Sequence, residues 1–133
     1  MNSFKLQIVT PDGLAWDGNA ESLLVHTDDG DVEILAGHVE YMASVATGRA
    51  RIIVGGVSKF ASCAGGFLHV SRECVRLVAV TFELAENIDT ERAKRAREAA
   101  EAKISAAKDE KQERLARAKL RRALVRLSVA QMK

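Results

Sequence analysis

Residues 82–100, FELAENIDTERAKRAREAA, divide the chain into two parts of different composition. Before this stretch the sequence is punctuated by glycine, since all 9 glycines lie at or before Gly66 and the single proline is Pro11. After it there is neither glycine nor proline, and Ala, Lys, Arg and Glu dominate, all of which favour helix. The stretch therefore predicts a change of secondary-structure class inside a chain of 133 residues, a length that suits one domain or two small ones.

The two parts also differ in charge. Residues 1–86 contain 6 Lys+Arg and 11 Asp+Glu, whereas residues 87–133 contain 14 and 7, so the formal net charge of +2 conceals an acidic part and a basic part. A hydrophobic content of 47% and a charged content of 29% are typical of globular proteins and argue against disorder. We therefore predict two domains, residues 1–86 and residues 87–133.

Towards the amino terminus the sequence has the period of β-strands. Residues 4–10, FKLQIVT, alternate apolar and polar side chains in the way of a half-buried strand. Turn signals recur along residues 1–86, at spacings that predict about eight to ten short strands in an antiparallel β-sandwich or barrel. These signals include Pro11-Asp12-Gly13, Asp17-Gly18-Asn19, Gly55-Gly56 and Gly65-Gly66.

Towards the carboxyl end the sequence predicts two helices, the first capped by Asp89 or Thr90. A break is expected near Ser105–Glu110, although the absence of glycine leaves one long helix as the alternative. Because alanine buries little apolar area, the seam of such a hairpin is weak and the hairpin should detach readily. The apolar stripes are Ala93, Ala96, Ala100, Ile104 and Ala107, then Ala116, Leu120, Ala123, Leu124 and Leu127. The predicted fold class is α+β, a β-sandwich followed by a two-helix hairpin.

Several classes of protein are excluded by these patterns. No apolar run approaches the roughly 20 residues of a transmembrane helix, and the amino terminus does not read as a secretory signal. Cys63 and Cys74 form neither a disulfide framework nor a C-x-x-C pair, which fits a reducing compartment, and no metal site is predicted. Neither a phosphate-binding glycine loop nor a G-x-S-x-G elbow occurs, so no catalytic residue is predicted.

The last part of the chain carries charge of one sign. From Arg114 to Lys133 there are seven Lys+Arg and no acidic residue, which favours a negatively charged partner over a merely solvated helix face. Arg122 and Arg126 are four residues apart on one face, where two guanidiniums can hold a polyphosphate. A basic module that binds nucleic acid or protein is the alternative. Nucleic acid is disfavoured because no aromatic residue follows Phe82 to stack on bases.

Five segments, in order along the chain, resemble the epsilon subunit of bacterial rotary ATP synthase. They match its opening strand and turn, a segment that ends in Gly-His, a GGF strand-turn-strand, the I/L-D-x-x-R-A motif of nucleotide-binding members and the closing helix. These segments are FKLQIVTPDG (4–13), LLVHTDDGDVEILAGH (23–38), AGGFLHVSRECVRLVA (64–79), IDTERA (88–93) and RALVRLSVAQMK (122–133). The chain departs from the family pattern at Ala36, Glu40, His69 and Ala99.

The resemblance implies a non-catalytic subunit of the central stalk of a proton- or sodium-driven ATP synthase. Its β domain would bind the gamma subunit and the rotor ring of c subunits. Its hairpin would extend along gamma to the alpha and beta subunits of the catalytic head and inhibit ATP hydrolysis. The protein would lie on the cytoplasmic face of the bacterial cell membrane as a peripheral subunit and bind no nucleic acid. Partner contacts are expected at His38, Arg114, Arg117 and Arg121.

The resemblance also implies that ATP, with or without magnesium, binds the folded hairpin as a regulatory ligand, and that no cofactor is obligatory. Asp89 would accept a hydrogen bond from the adenine amino group, or serve only as a helix cap. Arg92 would face the ribose or the phosphates, or lie on the surface, or pair with Asp89. Arg122 and Arg126 would supply positive charge from the second helix, and Glu83 would reach the base.

Overall fold

The computed structural model describes residues 2–132, which form ten strands, one 3-10 helix and two α-helices. The strands are β1 (Phe4–Thr10), β2 (Gly13–Ala20), β3 (Ser22–Thr27), β4 (Gly30–Leu35), β5 (Tyr41–Ser44), β6 (Gly48–Val54), β7 (Val57–Ala64), β8 (Phe67–Val70), β9 (Val75–Val78) and β10 (Thr81–Leu84). The 3-10 helix Ala85–Asn87 leads into α1 (Thr90–Ala106) and α2 (Glu110–Ala130). Among the described residues, no helix is long and apolar enough to cross a membrane.

The ten strands form two five-stranded sheets that pack face to face. The first sheet has the order β2-β1-β9-β8-β5 and the second has the order β10-β7-β6-β3-β4. Neighbouring strands are antiparallel except β1 and β9, which run parallel with Leu6 opposite Val75 and Val9 opposite Val78. The predicted β-sandwich followed by a two-helix hairpin is therefore confirmed, and the parallel pair is an addition to it.

The core lies between the two sheets. Leu6 and Leu77 of the first sheet and Leu23 and Ile52 of the second are fully buried there. Their neighbours along each strand point away from the core, which is the alternation expected of a half-buried strand. All described members of this core precede Ala85, so the sandwich has a core that does not depend on the helices. The division into residues 1–86 and 87–133 stays a prediction.

The predicted turn at Asp17-Gly18-Asn19 is wrong. β2 continues through these residues to Ala20, with Asp17 opposite Gln7 and Asn19 opposite Lys5 of β1. Turn-forming residues are tolerated here because the hydrogen-bonded ladder with β1 outweighs the local preference of the sequence. The chain instead passes from β2 to β3 at Glu21.

Two aspartates cap the amino termini of the two helices. Asp89 caps α1, its Oδ1 accepting a hydrogen bond from the backbone N–H of Arg92 at 3.1 Å. Asp109 caps α2, its Oδ1 accepting one from the N–H of Gln112 at 2.8 Å. The predicted break near Ser105–Glu110 is confirmed. The side chain of Asp109 fixes the start of α2, so the break does not need a glycine.

Small side chains form the seam between the two helices. Ala93 and Ala100 of α1 and Ala116 and Ala123 of α2 are buried there, as predicted. The predicted stripe of α2 is wrong at Leu124, which is 47% exposed. A separate apolar cluster joins the hairpin to the sandwich: it consists of Ala85, Ile88, Val129 and Ala130, with Phe60 and Val125 packed against them.

A pair of glycine substitutions tests the packing of the first sheet. Gly66 has φ +101°, and a Cβ added to it would lie 1.7 Å from the backbone oxygen of Val78. Gly13 also has a positive φ, +116°, but a Cβ there meets nothing within 4 Å. The left-handed backbone alone costs about 1–2 kcal/mol with an alanine. We expect Gly13→Ala to lose about that much and Gly66→Ala about 1–3 kcal/mol more, because of the clash.

Urea unfolding followed by circular dichroism measures both variants. Equal losses in Gly13→Ala and Gly66→Ala would contradict the close approach of residues 66 and 78.

Candidate functional site

A cavity of about 430 Å³ lies where the sandwich, both helices and the hinge, the segment 85–89 between β10 and α1, meet. Glu83 lines it from β10, Asp89 and Arg92 line it from the start of α1, and Arg126 lines it from α2. The structure thus brings together four of the five residues predicted to bind ATP. The remaining wall includes Thr10, Phe82, Ile88 and Ala96. We call this space the hinge cavity.

An ion pair crosses the hinge cavity from the sandwich to the hairpin. The Nε of Arg126 donates a hydrogen bond to Oε1 of Glu83 at 2.7 Å, and the two side chains are 26% and 36% exposed. Exposed pairs of this kind contribute about 0.2–1 kcal/mol, so Glu83 and Arg126 hold the hairpin in place only weakly. An anion that enters the cavity would compete with Glu83 for Arg126.

Asp89 and Arg92 present exposed polar groups at the other side of the cavity. The cap uses Oδ1 of Asp89, which leaves Oδ2 as a hydrogen-bond acceptor for a ligand. Arg92 has no ion pair with Asp89 within residues 2–132, so its guanidinium can turn towards an anion. The capping role of Asp89 is observed, and it is compatible with the predicted ligand-binding role.

Arg122 is the predicted ligand that does not line the hinge cavity. It belongs to a group of three cations further along the hairpin, with Lys103 of α1 and Lys119 of α2. The neighbouring Lys103 side chain lowers the pKa of Lys119, and the charge of Arg122 acts in the same direction. No carboxylate pairs with any of the three among the described residues. The group therefore repels itself and attracts anions.

Sequence reasoning missed Lys103 and Lys119. The position of the turn does not pair them, since Lys103 lies four residues before residues 107–109 and Lys119 lies ten residues after them. Neither lysine belongs to a recognisable motif, and each alone reads as an ordinary solvated residue of a charged helix.

The residues predicted to contact partner proteins lie in separate places. His38 follows β4, where its Nδ1 lies 2.7 Å from the backbone oxygen of Val39 and its ring packs edge-on against Tyr41 with centroids 5.7 Å apart. Arg114 and Arg121 are exposed on α2. Arg117 donates a hydrogen bond to Glu113 at 2.9 Å. No hydrogen bond or ion pair among the described residues links His38 to these arginines of α2.

The side chains of these residues are suited to binding a ligand. Among residues 2–132 no cluster of His, Cys, Asp or Glu side chains is arranged to hold a metal ion. Burial raises the pKa of the Cys63 thiol to about 12, so this thiol stays protonated near neutral pH and is a poor nucleophile. The hinge cavity combines carboxylate acceptors with guanidinium donors, a set that suits a ligand with a hydrogen-bonding ring and an anionic tail.

Removal of one cation from the group of three should strengthen the hairpin. We expect Lys119→Gln and Lys103→Gln each to raise the urea midpoint of the helical signal at low salt. The gains should not add in the double variant, because both remove the same repulsion. At about 1 M salt, where the Debye length is about 3 Å, the gain should disappear.

The matched control is Arg95→Gln, an exposed cation elsewhere on α1. The unaltered chain should also become more stable as pH rises towards 10.5, the ordinary pKa of lysine, because the unfolded state then binds more protons than the folded state. A Lys119→Gln variant with an unchanged midpoint and the same pH dependence would refute the repulsion.

Comparisons with known proteins match this architecture over nearly the whole chain. Residues 3–85 match the family model of the ATP synthase delta/epsilon chain β-sandwich domain. Residues 86–131 match that of the delta/epsilon chain long α-helix domain.

The chain is 38% identical to the ATP synthase epsilon chain of Bacillus velezensis over 130 residues, 98% of each protein. It is 35% identical to that of Shouchella clausii over 133 residues, covering 100% of this chain and 98% of the relative.

Solved structures show the same fold. A chain of the Euglena gracilis mitochondrial ATP synthase, in a structure of OSCP, F1 and the c-ring, superposes with a TM-score of 0.81 at 26% identity, over 97% of this chain and 81% of that chain. A chain of the Tetrahymena thermophila mitochondrial ATP synthase superposes with a TM-score of 0.67 at 13% identity, over 97% of each, which speaks for the fold alone. The matches to both family models, together with the sandwich and the hairpin, show that the chain belongs to the ATP synthase delta/epsilon chain family.

Proposed function

We propose that the chain is a non-catalytic subunit of the central stalk of an ion-driven rotary ATP synthase, and that its hairpin restrains ATP hydrolysis. Membership of the delta/epsilon family and full-length similarity to epsilon chains support the place in the stalk. The two apolar clusters support a division of labour, since the sandwich core is complete before Ala85 and the hairpin is attached by a small cluster of its own. The sandwich would attach to gamma and to the rotor ring of c subunits. The protein would be peripheral to the cytoplasmic face of the bacterial membrane.

The hairpin can detach from the sandwich because the contacts between them are few and weak. Its contacts with the sandwich include a small cluster around Val129 and Ala130 and the partly exposed Glu83–Arg126 pair. Arg49 adds a weak contact, at 3.9 Å, with the sulfur of Met132. A partner has to supply only a few kcal/mol to shift such an equilibrium. When released, α2 would carry Arg114, Arg117 and Arg121 towards acidic surfaces of the alpha and beta subunits, where charge complementarity favours association.

The hinge cavity is the observation that carries a regulatory role for ATP. Its polar side chains come from both sides of the hinge, with Glu83 on the sandwich and Asp89, Arg92 and Arg126 on the hairpin. A ligand there contacts both parts at once and therefore binds the docked form only. By linkage, a ligand at about 100 times its Kd stabilises that form by about 2.7 kcal/mol, enough to decide a weak equilibrium.

Each residue of the site has a distinct part in this proposal. Asp89 accepts a hydrogen bond from the adenine amino group through Oδ2, while Oδ1 keeps its place in the cap. Glu83 lines the same cavity and can face the base. Arg92 and Arg126 bind phosphate oxygens, with Arg126 exchanging Glu83 for the ligand. Arg122 acts at longer range, together with Lys103 and Lys119, by drawing the phosphates along the hairpin.

ATP binding to the free protein tests the site. We expect Asp89→Ser and Arg92→Gln each to weaken ATP binding by about tenfold or more, as is typical when one partner of a charged hydrogen bond is lost. Serine is as good a helix cap as aspartate, so Asp89→Ser removes the carboxylate and keeps the cap.

The matched control is Asp109→Ala, which removes the cap of α2 away from the cavity and should bind ATP normally. Isothermal titration calorimetry gives all the affinities. Unaltered affinity in both Asp89→Ser and Arg92→Gln would rule out this site.

Removal of residues 87–133 tests the role of the hairpin. Because the sandwich core lies before Ala85, the shortened chain should still co-purify with the gamma subunit. ATP hydrolysis by the assembled complex should rise relative to the complex with the full chain, and added ATP should no longer change the inhibited fraction. Hydrolysis at the same rate in both complexes would contradict an inhibitory hairpin, and loss of gamma would contradict docking through residues 1–86.

A further inference from the structure

A second and larger cavity, of about 710 Å³, lies between α2 and the outer face of the second sheet. Its helical wall contains Arg117, Arg121, Leu124 and Ser128, which recur every three to four residues and so share one face of α2. Arg126, which lines the hinge cavity, projects from the opposite side of the helix. The two cavities have no lining residue in common. We call the larger one the sheet cleft.

The inner surface of the sheet cleft is apolar. Leu24 and Phe60 contribute from the sheet, where each lies opposite Arg51 in the strand register. Leu120, Leu124 and Val125 contribute from α2. Leu124 keeps nearly half of its surface exposed in this cleft although it lies on a helix that packs on the sandwich. An apolar surface of this kind, in a cavity of drug-like volume, suits a ligand with an apolar body.

The rim of the sheet cleft is cationic. Four arginines line it, Arg49, Arg51, Arg117 and Arg121. The only acidic lining residue, Asp31, is already paired with His26 at 2.8 Å. The rim therefore carries an excess of positive charge over the apolar interior.

Two of these arginines have no carboxylate partner within the described part of the chain. Arg51 pairs with Glu33, and Arg117 pairs with Glu113. Arg49 contacts the sulfur of Met132 at 3.9 Å, which is a weak acceptor, and Arg121 takes part in no ion pair among residues 2–132. The buried Nε of Arg51 also lacks a hydrogen-bond partner. Guanidinium donors are thus left unused on both the sheet and the helix.

We propose that the sheet cleft is a second ligand site, which takes an amphipathic anion with an apolar body and a single sulfonate, phosphate or carboxylate head. The body packs between Leu24, Phe60 and Leu124, and the head accepts hydrogen bonds from Arg49 and Arg121. Because one wall is the sandwich and the other is α2, such a ligand binds only the docked hairpin and stabilises it. The site works independently of the hinge cavity, so it does not depend on ATP binding there.

The fluorescent anion 8-anilinonaphthalene-1-sulfonate is the probe for this site. We expect it to bind the full chain with one high-affinity site per molecule, equally with and without saturating ATP. The double variant Arg49→Gln, Arg121→Gln should bind it at least tenfold more weakly. The matched control Arg95→Gln, Lys111→Gln loses the same charge from exposed positions outside the cleft and should bind as the unaltered chain does. The uncharged analogue N-phenyl-1-naphthylamine should bind at least tenfold more weakly than the sulfonate.

A second measurement on the unaltered chain keeps the proposal testable if the double variant does not fold. In methyl NMR spectra the probe should shift Leu24 and Leu124, and leave Leu14 and Leu35, which are exposed elsewhere, unchanged. Equal weakening in the cleft variant and the control variant would overturn the site, as would displacement of the probe by ATP. Methyl shifts at Leu14 or Leu35 in place of Leu24 and Leu124 would overturn it too. Loss of ATP binding in Asp89→Ser with unchanged probe binding would separate the two sites.

Discussion

The hydrogen-bonded ion pair between Glu83 and Arg126 is the polar contact that ties the hairpin to the sandwich. It joins residues 43 apart in the chain, at the point where the sandwich ends and the hairpin lies against it. A fully buried pair would lock the two parts together, because breaking it would leave an isolated charge in an apolar environment. This pair is partly exposed, so water can replace either partner at small cost.

The apolar packing beside that pair is also weak. Val129 and Ala130 are buried against the end of the sandwich, yet the seam between α1 and α2 consists mainly of alanines. Alanine lets helices approach closely but contributes little hydrophobic stabilisation per residue. The sandwich, by contrast, buries large aliphatic side chains such as Leu23, Ile52 and Leu68 completely. The buried side chains are thus large in the sandwich core and small in the seam of the hairpin.

The sequence predicted the architecture well because its signals are local. The alternation of residues 4–10, the paired glycines and the alanine-rich period each specify an element by short-range chemistry. The predictions failed where a contact with a distant part of the fold determines the local structure or the exposure of a side chain. β2 runs straight through Asp17-Gly18-Asn19 because β1 pairs with it, and Leu124 stays half exposed because the face of α2 that carries it opens onto a cavity.

For the candidate site, the motif at residues 88–93 and the spacing of Arg122 and Arg126 were enough to select residues that mostly converge. The proximity of Lys103 and Lys119 arises from the pairing of α1 with α2, and the sheet cleft arises from the docking of the hairpin on the sandwich. No short sequence pattern encodes either arrangement.

The parallel pairing of β1 with β9 sets the order in which parts of the fold can form during synthesis. β1 lies between β2, its neighbour in sequence, and β9, which is made about 70 residues later. During synthesis the first sheet therefore cannot close until β9 has left the ribosome, and distant pairing of this kind slows folding. The helices follow within a few residues of β10 and form from local contacts. In a newly made chain the two helices thus emerge just after the strands that form the surface against which they pack.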